Sequence, residues 1–246
     1  MRPPLRTLRS IGLILGALGL LAGAGPEDQD WVDLSSLDAW KPPIQGWATA
    51  GSANLDPADP RKLATEPGSD LIHNGPIGRG RNLISKEEFG DVEVHLEFLL
   101  PKGSNSGVKF QAVYEVQIFD SYGSTRKPTG RDSGGVYPRS EEKPKYHQID
   151  DGYAPLANAC KPPGEWQVLD ATFHAPRFDD KGQKIANARI SATLNGQKVQ
   201  DNLEVPTPTG SAWHDAPKPT GPLLIQADHG PIAFRSIKAR RLDSKP

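Results

Sequence analysis

One residue in five of this chain is glycine or proline: 25 Gly and 24 Pro among 246 positions. Both weaken helix interiors, glycine through backbone entropy and proline through its missing N–H and ring clash. Coiled coils and helical bundles, which need long runs of good helix formers, are therefore excluded. No repeated apolar stretches of about 20 residues exist, so the chain is not a polytopic membrane protein. Lys and Arg number 29 against 30 Asp and Glu, so the basic excess of a nucleic-acid binder is missing. A turn-rich globular chain with one sizeable core remains.

The N-terminus reads as an address. Arg2, Arg6 and Arg9 precede the uncharged, mostly apolar stretch Ile11–Ala24, and Ala22-Gly23-Ala24 supplies small residues before polar Pro26–Asp30. This order of charge, apolar run and small residues is that of a secretory signal peptide. The reading is signal at 1–24, then one domain over 25–246, secreted or periplasmic, with no membrane span once the signal is removed. An uncleaved anchor is the alternative. Removal of three arginines would take the formal charge from -1 to -4. Cys160 is the single cysteine, so no intramolecular disulfide forms, and a buried, inert thiol is expected.

The apolar period along the rest is two. Val92, Val94, Leu96 and Phe98 alternate with Glu93, His95 and Glu97, the pattern of a half-buried strand. Pro101–Gly107 reads as a turn, with a return strand over Val108–Ala112 continued by Tyr114–Phe119. Trp166–His174 is a further strand. Arg189–Leu194 and Lys198–Gln200 flank Asn195-Gly196, a strong hairpin signal. Leu223–Ala227 and Ile232–Arg240 read as a final pair around Asp228–Pro231. Ser85–Phe89 is the best helical window. The fold class expected is all-β, an antiparallel β-sandwich or jelly roll. Two irregular stretches interrupt it, an insertion at about 120–165 and a Pro-rich segment at 206–222 carrying Trp213 and His214. Irregular insertions this long either build a binding surface or are disordered; the scattered Tyr122, Tyr137, Tyr146 and Tyr153 with Val136 and Ile149 favour an ordered loop.

Several segments, in order, resemble the 3-keto-disaccharide hydrolase domain, a family built as a concanavalin A-like jelly roll. They are Leu37–Trp40, Glu87–Asp91 leading into Val94–Phe98, Asn105-Ser106-Gly107, Tyr114–Gln117, Gly164–Trp166, Leu194–Gly196 and Gln226–Gly230 running into Phe234–Ile237. The family's usual Gly before the first Trp is Ala39 here, and its opening turn is reduced to Leu34-Ser35-Ser36. The resemblance implies a carbohydrate-active hydrolase or lyase whose partner is a saccharide or oxidised glycoside.

Glu115–Asp120 also resembles the catalytic strand of family 16 glycoside hydrolases, which carries a nucleophile, a helper acid and an acid/base. Here the helper position is Gln117. Period-two geometry puts Asp120 on the opposite face from Glu115, which disfavours a double displacement needing two closely spaced carboxyls. A 3-keto sugar needs less. Its carbonyl acidifies the C2 proton, so one base, one acid and a donor for the enolate allow elimination followed by hydration. Glu115 and His229 are the candidate base and acid, in either order. Asn105 and Gln117 are candidate ligands for sugar hydroxyls, and Lys109 (or a metal held by carboxylate and His) for the enolate oxygen. Tyr137 and Trp213 are candidate stacking platforms. Trp40 and Trp166 read as core residues, and His147 with Asp150-Asp151 as either ligands or a solvated loop. No organic cofactor is expected; a divalent metal stays open. The competing readings are a non-catalytic carbohydrate-binding module, with Glu115 and Gln117 as a solvated strand face, and a purely structural sandwich.

Overall fold

The computed structural model describes residues 30–242; the signal segment expected at 1–24 lies outside them. Two antiparallel sheets face each other. Strands are β1 (Val32–Asp33), β2 (Ala48–Leu55), β3 (Leu63–His73), β4 (Leu83–Phe89), β5 (Val92–Leu99), β6 (Asn105–Phe110), β7 (Tyr114–Phe119), β8 (Ser140–Glu141), β9 (His147–Gln148), β10 (Trp166–His174), β11 (Arg177–Phe178), β12 (Lys184–Ala186), β13 (Ala188–Leu194), β14 (Gln197–Val205), β15 (Gly221–Ile225) and β16 (Ala233–Arg241). The larger sheet runs β14-β13-β10-β5-β16-β3-β2, with β1 beside β16, and the smaller runs β4-β15-β6-β7. β8 and β9 pair with each other, as do β11 and β12. Chain-adjacent strands repeatedly fall in different sheets, as in a jelly roll, and the fold class is the one expected.

The alternation of β5 is realised in full. Val92, Val94, Leu96 and Phe98 are each no more than 1% exposed, and burying such side chains contributes roughly 1.5–3 kcal/mol apiece. Across the core, Phe110 of β6 lies parallel to Phe173 of β10, ring centroids 4.8 Å apart, with Tyr114 of β7 against the same ring. The Trp40 indole N–H donates to the Leu34 carbonyl at 3.0 Å, which settles it as a core residue. Trp166 is half-buried at the second, smaller apolar cluster, with the Arg235 guanidinium 4.6 Å over its ring. Cys160 is buried, and that burial pushes its thiol pKa up.

Asn195 and Gly196 turn β13 into β14 with φ of 53° and 78°, the left-handed pair that suits Asn-Gly. Four expectations need correction. β5 and β6 do not form a hairpin: β5 pairs with β10 and β16 in the larger sheet, so Pro101–Ser104 is a crossover between sheets. The return strand ends at Phe110, and β7 is a separate strand paired with it. β15 and β16 likewise belong to different sheets, so 226–232 is a second crossover. Ser85–Phe89 lies within β4; the Ser85 hydroxyl donates to the Glu87 carbonyl and accepts from the Leu223 N–H, side-chain bonds that serve a strand edge.

The 120–165 insertion folds against this frame. Within it, 134–137 runs alongside β7: the Gly134 N–H donates to the Gln117 carbonyl, the Gln117 N–H to the Gly135 carbonyl, and the Tyr137 N–H to the Glu115 carbonyl, at 2.8–3.0 Å. Val136 is fully buried and bridges Val116 and Tyr153. Among the described residues, no helix is long and apolar enough to cross a membrane.

Candidate functional site

Because side chains alternate along a strand, the pairing of β6 with β7 sorts their residues into two faces. Val108, Phe110, Tyr114, Val116 and Ile118 enter the core. Asn105, Gly107, Lys109, Glu115, Gln117 and Phe119 occupy the other face. Register sets Lys109 opposite Glu115, Gly107 opposite Gln117 and Asn105 opposite Phe119. The 134–137 ribbon extends these rows and brings Tyr137 beside Glu115.

Glu115 faces away from the apolar core, yet it is only 2% exposed. Its carboxylate meets the Lys109 ammonium at 3.0 Å and leans across Gly107, where an added Cβ would come within 2.4 Å of Glu115 Oε1. Glycine at 107 thus makes the room the carboxylate occupies. The Glu115 N–H donates to Thr209 Oγ1 at 3.0 Å, pinning the strand from the 206–222 segment. Burial raises the Glu115 pKa above the ordinary carboxylate value; Lys109 and the charge of His229 oppose the rise, and Asp228 adds to it.

A cavity of about 420 Å³ opens beside this row, lined by Asn105, Gln117, Tyr137, Tyr146, Gln148 and Arg131 among others. Asn105 Oδ1 and Gln117 Oε1 are buried in this wall without a protein hydrogen-bond partner. Such acceptors cost free energy until a donor reaches them, and a ligand rich in hydroxyls supplies donors. The Tyr137 hydroxyl contacts that of Tyr146 at 3.0 Å and accepts from Gln148 Nε2 at 3.4 Å. Burial and this contact raise its pKa, which favours the neutral phenol.

These features coincide with a known sequence family. Residues 29–240 match the 3-keto-alpha-glucoside-1,2-lyase-like domain. The chain belongs to this family. A solved protein from Parabacteroides distasonis, provisionally named a glycosyl hydrolase, is 25% identical, with a TM-score of 0.57 over 87% of this chain and 84% of its own. A second from the same organism, named likewise, is 20% identical, with a TM-score of 0.52 over 86% of this chain and 99% of its own. None of the curated proteins compared matches. Family and neighbours together mark a carbohydrate-active, glycosyl-hydrolase-like protein.

Within this family member, the expected residues separate into those gathered at Glu115 and those apart. Lys109, Gln117, Asn105 and Tyr137 are gathered there. His229 stands on the 226–232 crossover, half-exposed, its Nδ1 2.5 Å from Asp228 Oδ1 and its charge felt at Glu115. That crossover is held by buried Asn74, whose Nδ2 donates to the Ala227 and Gly230 carbonyls while its Oδ1 accepts from the Ile232 N–H. Trp213 is elsewhere: it sits in a 3₁₀ turn under the Arg139 guanidinium, 5.2 Å from the ring centroid, and against His214, with no contact to Glu115. Asp120 accepts from the Gly103 N–H at 2.8 Å and caps that turn, away from the carboxylate row. Asp150 pairs with Arg139 at 2.7 Å, whereas His147 lines the cavity. Among the described residues, no cluster of three or more His, Cys, Asp or Glu side chains could hold a metal ion; the charge facing Glu115 is an ammonium.

Sequence reasoning overlooked Tyr146, Gln148, Arg126 and Arg131 of the cavity wall. The insertion's scattered tyrosines and the singled-out His147, which lies between Tyr146 and Gln148, are the signals that pointed to them.

Proposed function

We propose that this protein cleaves the glycosidic bond of 3-keto-glycosides by elimination and hydration, with Glu115 as base. The observation that carries this reading is a buried carboxylate outside the apolar core, paired with one ammonium and two residues along β7 from Gln117, which lines a cavity whose wall holds unpaired acceptors. Glu115 takes the proton from C2. The electron pair moves toward the C3 carbonyl, where the Lys109 ammonium stabilises the enolate oxygen. Return of the pair forms C1=C2 and expels the C1 oxygen substituent, which takes a proton from His229, whose ring is oriented by Asp228. Water then adds across C1=C2: its oxygen bonds C1 while His229 takes its proton, and Glu115 returns the proton it holds to C2, so both groups are restored and the net change is hydrolysis. Asn105 and Gln117 accept from sugar hydroxyls, and Tyr137 walls the ring.

Support comes from the family and from the named glycosyl hydrolase that shares the fold. Incubation with 3-keto-trehalose or a 3-keto-glucoside should release free sugar, read by chromatography. Binding without release would instead establish a carbohydrate-binding module, a reading favoured by the closed Lys109–Glu115 pair.

The proposal includes export: the N-terminal segment directs the chain out of the cytoplasm and is removed. N-terminal sequencing of protein recovered from the native host should begin near residue 25; a first residue of Met1 would refute it.

A further inference from the structure

The turn joining β6 to β7 is built from the wrong residues for its shape. The Val113 N–H donates to the Phe110 carbonyl at 3.0 Å, closing a β-turn whose central residues, Gln111 and Ala112, have φ of 52° and 62°. The same left-handed pair is made by Asn195-Gly196 between β13 and β14, the residues such a turn prefers. A side chain longer than Asn and a Cβ in place of Gly both disfavour this backbone. Strain of this kind persists where the surroundings over-determine it, and it concentrates at ligand sites.

Gln111 carries a second, independent feature. Its side chain is buried, 8% exposed, and neither the amide oxygen nor the amide nitrogen has a hydrogen-bond partner. It lines a separate cavity of about 390 Å³ with Val113, Asp215, Ala216 and Lys218. Gly221 of β15 closes against it from behind: an added Cβ there would meet Gln111 Cα and Cβ at 3.0 Å. The amide is thus held in place with a donor and an acceptor side by side and unused. It lies two residues beyond Lys109, the first position past the end of β6. The same 206–222 segment serves both places, since Thr209 bonds Val113 and Glu115 while Asp215 and Lys218 form the rim.

We propose that Gln111 is the centre of a second saccharide subsite. Its amide accepts from one hydroxyl and donates to its neighbour on an adjacent diol, so that the cavity takes the sugar unit next to the one at Glu115. The assignment rests on the carbohydrate reading of the neighbouring groove and makes a disaccharide, rather than a monosaccharide, the better ligand.

The test is equilibrium binding of trehalose and of glucose by calorimetry, in the wild type, in Gln111→Leu, and in the double variant Gln111→Asn with Ala112→Gly. The double variant gives the turn its preferred residues, so it should melt a few degrees higher, and both variants should bind trehalose at least tenfold more weakly, with glucose binding unchanged. Trehalose density at Gln111 in a soaked crystal would agree. Trehalose affinity unchanged in both variants, or water alone at the amide, overturns the subsite. The readout is binding, so absence of 3-keto-glycoside cleavage would refute the catalytic proposal and leave this one standing or falling by itself.

Discussion

Replacing Glu115 with glutamine is expected to lower turnover of 3-keto-glycosides roughly a hundredfold to ten-thousandfold, the range that a positioned proton-transfer group supplies. The substitution keeps shape and volume, so the melting profile should still show one cooperative transition. A base must be ionised to act, and burial raises the Glu115 pKa above its ordinary 4.5. Wild-type kcat/KM should therefore rise with pH through a midpoint above that value, and the rise should be absent in Glu115→Gln. Stability carries the opposite sign: a raised carboxyl contributes stability that is fully present below 4.5 and fades as pH climbs through the folded value. The glutamine variant should lose that slope. Turnover within a fewfold of wild type would dismiss Glu115 as the base.

Asp91→Ala is expected to cost about 3 kcal/mol and to lower Tm by roughly 10 °C without touching the groove. Asp91 sits between β4 and β5, where the chain passes from one sheet to the other, and its side chain is 2% exposed. Burial alone would raise its pKa. The Arg177 guanidinium, bonded to both carboxylate oxygens at 2.6–2.7 Å, the Ala175 N–H and the His174 ring overcome that and hold it at about 2. Removing the carboxylate leaves a buried N–H and a guanidinium without their acceptor. For the wild type this pair contributes stability present above the ordinary 3.8 and lost as pH falls through about 2, of order 2 kcal/mol. Acid unfolding of the alanine variant should lack that increment. An unchanged Tm would mean that the crossover is held elsewhere.

Local patterns were legible and distant pairings were not. The alternation of β5 and the Asn195-Gly196 turn depend on a few adjacent residues, and both are realised. Pro101–Ser104 carries turn chemistry whether the chain doubles back in one sheet or crosses to the other; only burial of Val92–Phe98 between β10 and β16 decides it. β2 and β3 lack a clean apolar period, because β3 is exposed from Glu66 to Asp70 and Gly68 lets it press against Gly51. The Glu115–Gln117 face followed from period two and Lys109 from the strand beside it, whereas Asn105, read as part of a turn, proves to begin that strand. Tyr146, Gln148 and Arg131 reach the cavity through an irregular segment with no periodicity to read. Trp213 shows the converse: an aromatic ring in a Pro-rich loop, spent on Arg139.

The ribbon at 134–137 has one more implication. Its main chain is stitched to β7 alongside Glu115 and Gln117, while β8, β9 and the residues between them are tied back at their ends, Ser140 to Gly210 and Ile149 to Arg139. Swapping 140–149 for sequences of other lengths would redecorate the mouth of the cleft while the reacting groups stay in register. If the proposed activity holds, variants with new sugar preferences are best sought in that ten-residue stretch, with the strands beneath left alone.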